Sequence, residues 1–269
     1  AVVNQLIFVF NLAVFGGMSG AGIFSAQYFG QKNDKGVRDV FRMKLIIGLL
    51  IIVVGLSTFV ILHNPLINMF LHEGGNSGNI DETYKYAKEF LHIMLLSIIP
   101  FVISNCYSTT LKEAGQTMVP MVAGIIAVVV DLVFNALLIF GLLGFPKLGV
   151  AGAAIATVLS RFVECGYLIF YTHSHSDKYK FISGVYRSLY VPASLVKKVV
   201  ITGTPLLLNE FFWAAGITMQ TQALSTRGLA AVAGLNIANT INNVVNTVFL
   251  TMGVAISIVV GQLFRSWKD

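Results

Sequence analysis

Asp131 stands inside VVVDLVFNALLIFG (Val128 to Gly141), an otherwise apolar run, and Asn135 follows one helical turn later. A carboxylate and an amide at i and i+4 share one face of a helix. Thr157 and Arg161 repeat that spacing in the next apolar run, and Glu164 follows Arg161 at i+3. The turn between the two runs, GFPKLG, centres near Pro146. In an antiparallel hairpin, Asp131 is therefore level with Arg161, and Asn135 with Thr157. Both rungs lie about 18 Å along their helices at 1.5 Å per residue. An acid at mid-membrane costs roughly 2.5–3.5 kcal/mol on insertion scales and needs a partner or a cavity. Two arrangements meet that need. In one, Asp131, the Asn135 amide oxygen, the Thr157 hydroxyl and the Ala153 carbonyl surround a sodium ion or a proton. In the other, Asp131 and Arg161 form an ion pair that ties two helices together, with Glu164 competing for Arg161. The sequence leaves both open.

A second set of polar residues lies further along. In PLLLNEFFW, Glu210 and Trp213 share a helix face and can meet a cationic aromatic compound by charge or by cation–π contact. Their alternative is a glutamate bonded to a neighbouring helix and a tryptophan facing lipid. Asn239, Asn242, Asn243 and Asn246 recur at i, i+3, i+4 and i+7, a stripe on one face. Such a stripe suits a wet cavity wall equally as well as inter-helix bonds of about 0.6–2 kcal/mol each. HSHSD (His173 to Asp177) has metal-like spacing but stands alone, and reads as a loop with no metal. No phosphate-cradling glycine loop ending in GK[ST] is present, which argues against an ATP-driven pump.

The elements that must carry these residues are membrane helices. Of the residues, 56% are hydrophobic and 11% charged, against about 25% charged in soluble domains. Seven stretches are long enough to span, at about 3–29, 43–63, 86–109, 119–143, 150–172, 198–223 and 230–264. Helices are expected because lipid offers no partner for open backbone groups. Of the 18 basic residues, all but intramembrane Arg161 fall in connections. One side holds Lys32, Lys35, Arg38, Arg42, Lys44, Lys112, Lys178, Lys180, Arg187, Lys197, Lys198, Arg265 and Lys268. The other holds only Lys85, Lys88, Lys147 and Arg227. The first side is expected in the cytoplasm. Cys106 and Cys165 lie in apolar runs and read as packing residues. The small-residue motif GGMSGAG (Gly16 to Gly22) is suited to close helix packing.

Sliding the chain by 235 residues lays its start on its end without a gap. Asn4 meets Asn239, Asn11 meets Asn246, Ile23 meets Ile258, Gln27 meets Gln262 and Phe29 meets Phe264. Both copies run in the same direction, so the repeat is parallel, a pattern that relates transporter halves by an axis along the membrane normal. A match between the first and seventh spans implies a unit of six. The expected organisation is a first lobe over 1–172, lacking one span, an amphipathic interfacial linker over 173–197, and the first two helices of a second lobe over 198–269. The chain reads as a piece of a longer protein, inactive by itself.

SAQYFGQKND, LKEAGQTMVPM, DLVFNALLIFG, GVAGAAIATVLSR and TGTPLLLNEFFW, in that order, resemble the multidrug and toxic compound extrusion (MATE) family along almost the whole chain. The resemblance implies twelve helices in two six-helix lobes, of which this chain holds spans two to eight. It implies export of organic cations or amphipathic drugs by sodium or proton antiport, through alternating access of the lobes. It also implies a cation site made of an acid and an Asn one turn apart, a Thr on the next helix and an acid on the first span. Asp131, Asn135 and Thr157 match those places, with the order of acid and Asn reversed, and the first span lies outside the chain. The expected setting is a bacterial inner membrane, with the long basic loops cytoplasmic. A monomer is expected, with no cofactor besides the coupling ion and no nucleic acid. A lipid or lipid-linked oligosaccharide flippase of related architecture is the nearest alternative, but it should face several basic residues into its cavity. A membrane-embedded enzyme is the more distant one.

Overall fold

The computed structural model describes residues 2–68, 80–225 and 229–266. Seven long helices account for nearly all of them: α1 (Val2–Gly30), α2 (Asp34–Asn68), α3 (Ile80–Glu113), α4 (Met118–Phe140), α5 (Gly149–Ser174), α6 (Ala193–Ser225) and α7 (Leu229–Ser266). Each contains a stretch long and apolar enough to cross a bilayer. The described residues form no strand. The fold is an all-helical, multi-pass membrane bundle.

Helix ends follow the sequence punctuation. Gly141 closes α4 in the left-handed region at φ 71°, with its N–H on the Leu137 carbonyl, a conformation open to glycine without a Cβ penalty. Pro120 sits in the first turn of α4, where no intrahelical N–H bond is lost. Pro100 and Pro205 lie inside α3 and α6. The α4–α5 hairpin is tight. Leu148 N–H bonds the Leu138 carbonyl at 2.9 Å, and a Cβ on Gly152 would stand 2.7 Å from that same oxygen.

Helix α1 is the centre of the bundle and packs on α2, α3, α6 and α7. Its small residues serve three neighbours. A Cβ on Gly20 would lie 2.4 Å from the Gly203 Cα of α6, and one on Gly17 would lie 3.0 Å from Ile51 of α2. One on Gly22 would lie 2.5 Å from the Glu113 carboxylate of α3. Pairs Phe8–Trp213, Gly16–Leu207 and Gly20–Gly203 show that α1 and α6 run antiparallel along most of their length. Helix α7 meets α1 in the same direction, at Ala26–Gly261 and Gly30–Gln262.

The basic end of the first five helices is capped by residues 175–192, between α5 and α6. Phe181, Ile182 and Val185 are buried there with Phe41, Tyr107 and Leu168. These apolar side chains therefore face the protein, and the segment plugs the end of the bundle, while Tyr186, Leu189 and Tyr190 on its other face stay exposed. Two arginines of α2 hold it. Arg38 donates to the carbonyls of Phe181 and Lys180 at 3.2 and 3.0 Å. Arg42 donates to those of Val185 and Gly184 at 3.0 and 2.8 Å, and to Asp39 at 3.2 Å. Tyr107 and Tyr186 share a hydroxyl–hydroxyl bond. Lys35, Arg38, Arg42 and Lys44 thus belong to the first turns of α2 and not to a loop, because that helix starts at Asp34, well before its apolar run.

Candidate functional site

Helices α4 and α5 pack closely and position the intramembrane polar residues. Asn135 Nδ2 donates to Asp131 Oδ2 at 2.9 Å across one turn of α4. The other carboxylate oxygen, Asp131 Oδ1, is buried and has no hydrogen-bond partner among the described residues. On α5, Thr157 donates its hydroxyl to the Ala153 carbonyl at 3.1 Å. That bond uses the Thr157 proton and leaves oxygen lone pairs free; the Asn135 amide oxygen is likewise uncommitted. Asp131 and Asn135 are brought together, while no direct bond joins them to Thr157.

The Asp131–Arg161 bridge does not form. Arg161 Nη1 pairs with Glu164 Oε2 at 3.1 Å, and its guanidinium lies over the Phe101 ring of α3, 4.8 Å from the centroid. The reason is local. An i+3 carboxylate on the same helix and a ring on the next one satisfy the cation with no demand on α4. Among the described residues Asp131 therefore has one hydrogen bond, from a neutral amide, and no ion pair with the neighbouring arginine.

Glu210 of α6 lies against Gly16 of α1, with its Cγ 3.5 Å from where a Gly16 Cβ would stand. It has no ion pair or hydrogen bond among the described residues. Trp213, one turn later and half exposed, meets Phe8 with ring centroids 6.5 Å apart. The pair Glu210 and Trp213 thus sits on the seam between α1 and α6. Asn242 and Asn246 are exposed on α7. The side chains of Asn239 and Asn243 lie outside the described residues. His173 and His175 bond backbone carbonyls of their own helix and stack on Tyr186 and Tyr171. Among the described residues no three His, Cys, Asp or Glu side chains converge as metal ligands.

One buried charge pair was not expected. Lys44 is fully buried, and its Nζ lies 2.6 and 2.8 Å from the two carboxylate oxygens of Glu113. The hydroxyls of Thr109 and Thr110 complete its surroundings at 3.0 and 3.2 Å. The pair staples α2 to α3. Helical phase carries the signal: Arg38 and Arg42 share a face at i and i+4, whereas Lys44 is turned about 200° from Arg42, at 100° per residue. From α7, Gln262 Nε2 donates to the backbone carbonyl of Glu113 at 2.6 Å.

Comparison with known proteins places this geometry in a family. The MatE family model matches residues 1–137. The chain is 29% identical over 259 residues to the probable multidrug resistance protein NorM of Thermotoga maritima, covering 96% of this chain and 53% of that protein. It is 25% identical over 248 residues to the probable multidrug resistance protein YoeA of Bacillus subtilis, covering 91% and 51%. It spans about half the length of these curated relatives. Among solved structures, an outward-facing multidrug resistance MATE family transporter aligns at TM-score 0.78 and 21% identity, over 98% of this chain and 57% of that one. An inward-facing one aligns at 0.70 and 20%, over 97% and 56%.

Proposed function

The chain belongs to the MatE family, and on that premise we propose that it forms the larger part of one lobe and the start of the second in an ion-coupled multidrug exporter. The coupling ion, sodium or a proton, binds at Asp131. The observation that carries this reading is the buried, unpartnered Asp131 Oδ1. A buried carboxylate oxygen without a donor is costly, and a transient cation removes that penalty. The residues fit such an ion. A hard cation takes oxygen ligands, and Asp131, the Asn135 amide oxygen and the Thr157 hydroxyl offer them on two packed helices. The Ala153 carbonyl already accepts from Thr157, so its share is the smallest.

Organic cations or amphipathic drugs are the proposed cargo, met by Glu210 and Trp213 at the α1–α6 seam and by Asn242 and Asn246 on α7. Alternating access follows from a second lobe that touches α1 near the basic end. The bundle is proposed to lie in a bacterial inner membrane with its basic end cytoplasmic, and to act as a monomer. The flippase alternative loses support, because Arg161 is engaged by Glu164 and Phe101 and is not free for a phosphate.

The test is Asp131→Asn in a full-length protein carrying this chain. Ethidium efflux is followed under a sodium gradient and under a pH gradient, applied separately. The variant is expected to reach the membrane and to lose efflux under whichever gradient drives the parent. Efflux with unchanged ion dependence would overturn the assignment.

A further inference from the structure

The contact between α1 and α7 has the form of a two-fold interface. A Cβ on Gly261 would stand 3.4 Å from the Cβ of Ala26. The 235-residue offset that lays Gln27 on Gln262 also lays Ala26 on Gly261. Repeat mates therefore touch each other, as they do only where a helix pair crosses close to its symmetry axis. In such an isologous contact, every bond made by one half has a counterpart made by the other.

One of those bonds is visible. Gln262 Nε2 donates at 2.6 Å to the backbone carbonyl of Glu113. Glu113 is the last residue of α3, and the final carbonyls of a helix have no intrahelical donor. The backbone N–H groups of Ala114, Gly115 and Gln116 go instead to Thr110, Lys112 and Leu111. The acceptor is held still from within, because Lys44, itself anchored on the two threonines, fixes the Glu113 side chain. The mate of the donor is Gln27. It is half-buried on α1 and its side chain has no partner among the described residues.

We propose that Gln262 and Gln27 are the two halves of a latch that holds the basic end of the lobe interface shut. Gln262 closes on the terminal carbonyl of α3. Gln27 closes on the terminal carbonyl of the helix that corresponds to α3 in the second lobe of the full-length protein. The latch suits reversible opening, since a neutral amide and a carbonyl both return to water without stranding a charge. It rests on the alternating-access reading above, but its test does not use transport.

The probe is Ala26→Cys in a full-length protein carrying this chain, in nanodiscs, labelled by a hydrophilic maleimide. Ala26 is 3% exposed, so labelling reports opening, over the background of buried Cys106 and Cys165. Gln262→Ala and Gln27→Ala are each expected to raise the rate about fivefold, the value of a net bond of about 1 kcal/mol. Gln262→Glu keeps the shape, removes the donor and is expected to do the same; a packing role would leave it at the parental rate. Disulfide formation in Ala26→Cys/Gly261→Cys, whose Cβ spacing is near the bonding range, is expected in the parent background and to slow in the latch variants. Unchanged labelling and cross-linking in Gln262→Ala would overturn the latch. An effect of Gln262→Ala with none from Gln27→Ala would overturn its two-fold form. Normal latch behaviour without ion-driven efflux would count against the transport reading alone.

Discussion

Lys44→Met is the sharpest test of how α2 and α3 are held together. The ammonium has three protons and four oxygen acceptors within 3.2 Å: both Glu113 oxygens, Thr109 and Thr110. Methionine fills most of the same space and supplies none of those bonds. Glu113 is 7% exposed, so its carboxylate cannot turn to water. Breaking a buried pair from one side costs about 3–5 kcal/mol. At about 1.4 kcal/mol per tenfold, the folded population relative to unfolded falls by a factor from about 10² to several times 10³. The double variant Lys44→Met/Glu113→Gln removes both charges and leaves an amide beside two hydroxyls. Replacing a whole buried pair is close to neutral in many proteins, so most of the loss should return. The assay is equilibrium unfolding in mixed detergent–SDS micelles, read by far-UV circular dichroism, on a full-length protein carrying this chain. A loss below about 1 kcal/mol in Lys44→Met, or a double variant as unstable as the sum of the single ones, would refute the staple.

The plug at 175–192 should depend on α2: Arg38→Ala/Arg42→Ala removes four bonds to its carbonyls. Trypsin is then expected to cut after Lys178 or Lys180 at least several-fold faster than in the parent, with unfolding monitored separately; unchanged cleavage would show that the buried aromatics suffice. Tyr179 in the same plug carries a buried hydroxyl without a hydrogen-bond partner among the described residues, and Tyr179→Phe should be neutral or stabilising by up to about 1 kcal/mol. Burial also pushes the Tyr179 phenol above its usual value. Between the unfolded and folded values the folded state holds the extra proton, so stability falls as pH rises through that window. In Tyr179→Phe that alkaline component should vanish from the pH profile of stability.

The membrane helices were readable because apolar length is a one-dimensional property. All seven stretches appear as helices, with α2 and α3 extending several residues beyond their apolar runs. The polar rungs were only half readable. Hairpin symmetry placed Asp131 level with Arg161, but depth does not fix which way a long side chain turns. Arg161 reaches Glu164 on its own helix and Phe101 on α3, and the latter contact required knowing which helix is the third neighbour. Lys44 shows the opposite difficulty. A lysine beside Arg38 and Arg42 at the head of an apolar run looks like a charge at the membrane surface, and Glu113 lies 69 residues away. Only helical phase separates Lys44 from its neighbours, and phase is informative only once the helix is known to begin at Asp34. The burial of one face of the plug was hidden for a related reason. Alternating apolar and basic residues describe any surface-lying segment, whether the surface is lipid or protein.

Three of the intramembrane acids, Glu113, Glu164 and Asp131, differ in what answers their charge, and that difference sorts their expected roles; Glu210 lies apart from them at the α1–α6 seam. Glu113 has a buried ammonium and is sealed by it. Glu164 has a guanidinium that also rests on a ring. Asp131 has one neutral amide, and its second oxygen has nothing. An acid already neutralised inside the protein gains little from a diffusible cation, because the cation must first displace a partner tied to the same scaffold. An acid met only by a dipole binds a cation with no displacement. Stability and transport should therefore separate across these residues. Glu113→Gln is expected to weaken folding and to reduce efflux only in proportion to the protein lost. Asp131→Asn is expected to keep or raise stability, since it removes a half-buried charge that no ion pair answers among the described residues, while ion-driven efflux disappears. If Asp131→Asn proved strongly destabilising in the unfolding assay, its carboxylate would be a structural anchor, and the cation site would have to be sought elsewhere.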